Sequence, residues 1–159
     1  MTQGPAEIAA ALRAVCAGLR SRSCTAWVPK LDLGRAIPPE KGELDSADEL
    51  VHPDFVNHEA PPGHPQGPEG LKVTVGWLRD LWGPMRAEIE DEICEGDKVV
   101  ARVTMHGRHV GEFLGRAPTG EEFAVEHIHI WRLQDGKVIE HWSVRDDLGQ
   151  ALQLGLVGG

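Results

Sequence analysis

The stretch Glu122-Phe-Ala-Val-Glu-His-Ile-His-Ile-Trp-Arg-Leu-Gln-Asp-Gly-Lys-Val-Ile-Glu-His-Trp-Ser-Val-Arg-Asp146 reads as two strands folded on one turn. Asp135-Gly136 is a two-residue hairpin signal, because a tight type I′ turn needs positive φ at both central positions. On either side of it, residues alternate with the period of two that a strand requires. Counted outward from a two-residue turn, Gln134 pairs with Lys137, His129 with Trp142, His127 with Val144, and Val125 with Asp146. Paired residues share a face. One face then carries His127, His129, Trp131, Trp142, Val144 and Asp146; the other carries Glu126, Ile128, Ile130, Ile139, Ser143 and Arg145. A bulge would shift this register by one and reverse the assignment for the histidines. Asp146 stands out, because a carboxylate on an apolar face is costly to bury unless it has partners or a task.

Upstream of this hairpin lies another. Residues 86–94 and 98–110 alternate as strands and are joined at Glu95-Gly96-Asp97. Before them Pro68 opens a helix that Gly83-Pro84 closes. Leu71, Val75, Leu78 and Trp82 form its apolar stripe, which Val73, Trp77 and Leu81 widen. A short helical turn fits 45–51, capped by Asp45 or Ser46. Residues 5–20 read as a further helix, with Pro5 at its first position and Ile8, Leu12, Val15, Cys16 and Leu19 on one face. Between them, Pro29, Pro38 and Pro39 interrupt any regular element, leaving an arm that crosses the surface or docks on a partner subunit. Helices first, then strand and turn from Arg86 onward, spell an α+β domain. The chain divides into an atypical N-terminal helix and arm over 1–41 and a main domain over 42–159.

Composition excludes several classes. The 159 residues suit one domain with a real core, and 41% apolar content is that of a soluble globular protein. A formal net charge of -9 argues against nucleic acid, whose phosphates need clustered Lys and Arg. No apolar run approaches the roughly 20 residues of a membrane span, and the N-terminus lacks a secretory pattern. The odd set Cys16, Cys24 and Cys94 fits neither a disulfide framework nor a thiolate zinc site, so the expected setting is the reducing cytoplasm. No Gly-rich phosphate loop opens a helix and no Gly-x-Ser-x-Gly elbow occurs, which leaves a nucleotide cofactor and a serine nucleophile unsupported.

Several motifs in series resemble the SnoaL-like polyketide (ester) cyclases. They run from Gly42 to His58, then through Gly67-Pro-Glu-Gly-Leu71, Gly96-Asp-Lys-Val-Val-Ala-Arg102, Gly107-Arg-His-Val-Gly-Glu-Phe-Leu-Gly115 and Pro118-Thr-Gly120. They close with Trp131-Arg-Leu-Gln-Asp-Gly-Lys137, Glu140-His-Trp142, Asp146 and Gln153-Leu-Gly155. The resemblance implies a fold similar to nuclear transport factor 2: a cone-shaped, curved antiparallel sheet wrapped by N-terminal helices, also called a cystatin-like α+β barrel. It implies an apolar internal pocket and a homodimer formed through the outer sheet face. It also implies that the carboxylate matching Asp146 is the general acid/base of an intramolecular aldol ring closure. The family's opening helix bears aromatics, whereas the helix read at 5–20 has none, so the resemblance does not carry a substrate with it.

The candidate site residues follow. Asp146 is read as a catalytic acid/base in the pocket, with a cap on the turn into Asp147-Leu148-Gly149 as the alternative. His127 and His129 form a His-x-His pair, a spacing also used by metals. The resembled family needs no metal, so His129 is read as catalytic and His127 as lining the pocket. The resemblance places Asn57 and His58 near the pocket, with a turn cap and loop packing as the alternative, and Trp77, Trp131 and Trp142 are read on its wall, with core packing as the alternative. His109 is read as holding the loop 111–120 and Arg102 as an ion-pairing residue, while His52, His64 and His141 are read as surface residues. The chain has no tyrosine, so oxyanion stabilisation would fall to His, Asn, Trp N–H or backbone. The reading is a cofactor-independent enzyme acting on a small apolar carbonyl compound. The same equipment would serve isomerisation, hydration or epoxide opening, and a non-catalytic carrier of hydrophobic ligands is the rival from another class.

Overall fold

The computed structural model describes residues 47–157, and the helix read at 5–20, the arm to 41 and the cap at Asp45 or Ser46 lie outside them. In chain order the elements are α1 (Ala47–Leu50), β1 (Val51–Asn57), α2 (Gly67–Trp82), β2 (Arg86–Glu95), β3 (Lys98–Arg108), β4 (Glu122–Gln134), β5 (Lys137–Arg145) and α3 (Asp147–Gln153). The five strands form one sheet in the order β1-β5-β4-β3-β2. The α+β class stands. The sheet, however, is mixed: β2 to β5 form an antiparallel meander, and β1 pairs parallel with β5. As an edge strand, β1 tolerates Pro53, which has no N–H to donate to a ladder. The chain is not all strand and turn after Arg86, because α3 follows β5.

Alternation along β3 defines the two faces. Val99, Ala101, Val103 and Met105 are 0–6% exposed, while Val100, Arg102 and Thr104 between them are half-buried. The inner set pairs with Trp131, His129, His127 and Val125 of β4, in that order. Phe55 of β1, Leu81 and Trp82 of α2, and Leu154 after α3 complete the core against this inner face. On α2, Leu71 and Leu78 pack on the core as the stripe requires. Val73 and Trp77 do not join it: Trp77 is 52% exposed. Gly83, at φ 62°, ends the helix with its N–H bonded to the Arg79 carbonyl.

The last hairpin departs from simple counting. Asp135 and Gly136 have φ of 51° and 76°, as the two-residue turn demands. Gln134 pairs with Lys137 and Leu133 with Val138, but Arg132 pairs with Glu140. Ile139 is the extra residue of a bulge, and it shifts everything beyond it. His129 therefore faces Ser143, His127 faces Arg145, and Trp142 pairs with Ile130 on the opposite face. Asp146 donates its N–H to the Glu126 carbonyl, not to a Val125 pair. A second bulge interrupts β2 between Ile89, opposite Val103, and Asp91, opposite Arg102. Both bulges bend their strands and raise local twist, which curves the sheet around its inner face.

The loop after β3 is clamped to the end of α2: Val110 and Gly111 both donate to the Leu81 carbonyl. A Cβ at Gly111 would collide with the Asp80 carbonyl, whereas one at Gly76, mid-helix, meets nothing within 4 Å. The two glycines should therefore respond to alanine with opposite signs. Urea denaturation should show Gly111→Ala destabilising by about 1–3 kcal/mol and Gly76→Ala stabilising by about 0.5–1 kcal/mol. Equal effects would contradict this packing.

Candidate active site

The bulge at Ile139 brings His141 onto the inner face beside Trp131 and His129. A chain of hydrogen bonds runs across this wall. Asn57, the last residue of β1, accepts the Glu59 N–H on its Oδ1 at 3.1 Å. That backbone donor identifies the amide oxygen, so the 3.2 Å contact to His141 Nδ1 is an N–H of the imidazole donating to Asn57. A neutral His141 then offers Nε2 as an acceptor, and His129 Nδ1 donates to it at 3.0 Å. His129 Nε2 is left as a bare lone pair. The rings reinforce the order: His129 stacks on Trp131 at 5.3 Å and on His141 at 5.3 Å.

Electrostatics keep this wall uncharged. Burial, with His141, His127 and Arg145 adding to it, pushes His129 down to about 3. Burial is also the main cause for His141, pushed down to about 4 with Arg145 and His58 lowering it and Glu59 opposing. His127 is pushed down to about 4 by burial and then by Arg145, against Asp147 and Asp146. All three imidazoles are neutral at pH 7. The Nε2 of His127 is buried and has no hydrogen-bond partner. Among the described residues, no three potential metal ligands converge.

A carboxyl that the sequence reading passed over shares the wall. Glu92 of β2 pairs with Ala101, Ala101 with His129, and His129 with Ser143, one row across the inner face. Among the described residues its buried Oε2 has no partner, and burial alone pushes its pKa up to about 7. Strict alternation would have set Glu92 with the exposed Glu88 and Glu90; the bulge in β2 turns it inward. The cue was Ile93, which the same bulge turns outward to 64% exposure.

The other expected site residues divide. Asn57, His127, His129 and Trp131 come together on the inner wall. His58 and Trp142 do not: their rings stack at 4.6 Å, and His58 reaches Glu140 at 2.9 Å, on the outer face. Glu140 and Trp142 lie there because of the Ile139 bulge, which corrects the pocket placement of Trp142 and with it that of His58. Trp77 projects from α2 away from the core. Asp146 is exposed and caps α3, accepting the Gly149 N–H at 2.8 Å. His141 is not a surface residue but the centre of the relay. His64 is half-buried, with its Nε2 within hydrogen-bonding distance of the Gly70 carbonyl and Thr74 Oγ1. His109 holds the loop as read: it is fully buried, and its Nδ1 meets the Thr119 N–H at 3.2 Å. Arg102 pairs with Asp91 and Glu126 on the outer face.

The sequence profile of the SnoaL-like polyketide cyclases matches residues 35–154. A nogalonic acid methyl ester cyclase from Streptomyces nogalater is 36% identical over 117 residues, spanning 72% of this chain and 87% of that one. An aklanonic acid methyl ester cyclase from Streptomyces galilaeus is 36% identical over 121 residues, spanning 72% and 81%. Among solved structures, TsrD from Streptomyces laurentii superposes with a TM-score of 0.72 at 31% identity, covering 83% of this chain and 97% of its own.

Depressed imidazole pKa values make stability pH-dependent with a definite sign. The unfolded chain protonates these histidines near pH 6.5, while the folded protein leaves them neutral until about pH 3 to 4. Their contribution is complete above pH 6.5 and is lost as pH falls towards 4. The melting temperature should drop by at least ~5 °C from pH 7 to pH 5, and His129→Gln should shrink that drop. Proton-detected ¹⁵N correlation at pH 6 should find both His141 and His129 protonated on Nδ1; an Nε2–H on either would break the relay.

Proposed function

This chain belongs to the SnoaL-like polyketide cyclase family, and we propose that it closes a ring in a small apolar polyketide by aldol chemistry, using only protein groups. The substrate class is that named for its relatives, the methyl ester of a polyketide acid such as nogalonic or aklanonic acid. The observation that supports this most directly is the neutral, hydrogen-bonded wall of Asn57, His141 and His129. An uncharged polar wall can orient a carbonyl compound without the cost of burying an ion.

In the proposed reaction, Asp146 as carboxylate removes a proton from the carbon next to a carbonyl. The C–H electron pair becomes an enolate, whose carbon attacks a ketone of the same molecule. A C–C bond forms, the ketone oxygen becomes an alkoxide, and the proton is returned to it as a hydroxyl. Atoms and charge balance without an external reactant. Asp146 reaches the substrate by giving up its cap on α3, an exposed bond worth about 1 kcal/mol. It lies one residue beyond Arg145, which is paired with His127, and its charge already acts on that imidazole. His129 serves as an acceptor, because its Nδ1–H is committed to His141. Its Nε2 lone pair can hold a substrate hydroxyl in register.

The outer face supports a homodimer. Ile93, Val100, Ile130 and Trp142 form one row across four strands, and Ile128 and Val144 are paired beside it. Val144 is 73% exposed and Ile93 64%, a concentration of apolar surface that association would cover. The setting proposed is cytoplasmic, where the buried thiol of Cys94 stays reduced. No helix among the described residues is long and apolar enough to cross a membrane.

Two measurements test these readings. Purified protein should convert nogalonic or aklanonic acid methyl ester to a cyclised isomer of unchanged mass. Asp146→Asn should lower kcat by roughly 10²–10⁴-fold, and full activity in that variant would remove Asp146 from the mechanism. Light scattering should give twice the monomer mass for the native chain and the monomer mass for Ile128→Asp/Val144→Asp.

A further inference from the structure

Resting on the cyclase reading above, we infer that Glu92 is a second catalytic residue, a neutral carboxyl that donates its O–H to the oxyanion formed as the enolate develops. The need is set by the relay. His129 has spent its only N–H on His141 and can only accept. The chain has no tyrosine to donate a phenolic proton. A developing oxyanion in a dry site needs a positioned donor.

Glu92 supplies one by position and by environment. It stands in the same row as His129, with Ala101 between them. Adjacent strands are about 4.8 Å apart, so the two backbones are roughly 10 Å apart. Between them stands Ala101, 1% exposed, whose side chain is only a methyl group. Among the described residues the buried Oε2 of Glu92 has no hydrogen-bond partner, although a buried carboxyl without a partner is a standing cost. A ligand oxygen would satisfy it.

The surroundings keep the proton on. The titratable and charged groups on the same wall are His127 and His129 of β4, His141 and Arg145 of β5, Glu59 after β1, and the buried thiol of Cys94 two places along β2. The imidazoles are neutral near pH 7. Arg145 is engaged by Asp147 at 3.3 Å. Glu59 accepts the Ser143 N–H at 3.2 Å. Asp91 and Glu90, its chain neighbours, are exposed, and Asp91 pairs with Arg102. Among the described residues no cation pairs with Glu92, so burial acts unopposed and holds the carboxyl protonated up to about pH 7. A buried carboxylic acid kept neutral can donate where an ionised one can only accept.

The test compares the native protein, Glu92→Gln and Glu92→Leu on both methyl esters between pH 5 and pH 9. The donor is present below its pKa and lost above it. Native kcat should therefore fall as pH rises through about 7. Glu92→Gln, whose amide donates at every pH, should lose that alkaline limb and stay within about tenfold of native kcat at pH 6, while Glu92→Leu should lose roughly 10²–10³-fold in kcat with KM little changed. An alkaline limb that survives in Glu92→Gln, or native kcat in Glu92→Leu, overturns the assignment.

Stability gives a readout independent of turnover. A raised carboxyl pKa favours the folded state at low pH and loses that advantage as pH rises through it. Glu92→Leu should therefore melt higher than native at pH 8 and gain less at pH 5. An equal gain at both would overturn the neutral buried carboxyl. If neither ester is turned over, the cyclase reading fails alone. Glu92 is then judged by binding of 1,8-dihydroxyanthraquinone, followed through Trp fluorescence. Native affinity falling severalfold from pH 6 to pH 8, with Glu92→Gln flat, supports the donor; identical profiles in both overturn it.

Discussion

Ile139 has no partner on β4, and its insertion between Val138 and Glu140 sorts the side chains of β5 between interior and surface. Without it, Trp142 and Val144 would stand beside the histidines of β4, and His141 would face outward. With it, His141 enters the wall, where Asn57 and His129 can bond to both of its nitrogens. Trp142 goes out to stack on His58, and Glu140 meets both His58 and Arg132. Because side chains alternate with a period of two, a single unpaired residue inverts every assignment beyond it. The relay, the apolar outer rows and the direction in which the chain leaves β5 all depend on that inversion.

The bulge in β2 has the same effect at the other end of the inner face. It sends Glu92 inward and Ile93 outward, which on hydrophobicity alone is the unfavourable choice for both. Burying a carboxyl and exposing an isoleucine in adjacent positions is a local conflict with the folding pattern. Such conflicts concentrate where a protein's task demands them. The two bulges thus frame the wall: one delivers an acid with no partner, the other a chain of imidazoles with a fixed direction. Curvature and chemistry come from the same two insertions.

This explains what was legible in the sequence and what was not. α2, the β2–β3 turn and the Asp135-Gly136 turn carry local signals, a proline, glycines and periodic apolar residues, and each falls where those signals place it. Strand existence followed from alternation. Facing did not, because a bulge leaves no composition of its own and is visible only through its consequence, as with the exposed Ile93. His127, His129 and Trp131 lie on the inner face that alternation gives them because no irregularity interrupts β4 between them. His141, Trp142 and Glu92 were misplaced or passed over because they sit after one. β1 was hidden for another reason: its pairing with β5 is parallel and long-range, and Pro53 obscures it.

The two carboxyls at issue sit in contrasting surroundings. Asp146 is exposed at the start of α3, where it accepts the Gly149 N–H. Among the described residues neither a donor nor a cation meets the buried Oε2 of Glu92, and burial raises its pKa to about 7. A proton-abstracting step needs one group ready to accept and another ready to donate to the oxygen that gains charge. In the proposed reaction a buried carboxyl whose pKa is raised donates, and an exposed carboxyl accepts. The neutral imidazoles between them contribute no charge to blur that separation. The wall therefore needs no tyrosine, provided the alpha proton leaves towards the rim at Asp146 and the oxygen faces Glu92. That requirement orients the substrate before its identity is known: its acidic carbon lies towards the β5–α3 junction and its carbonyl towards β2.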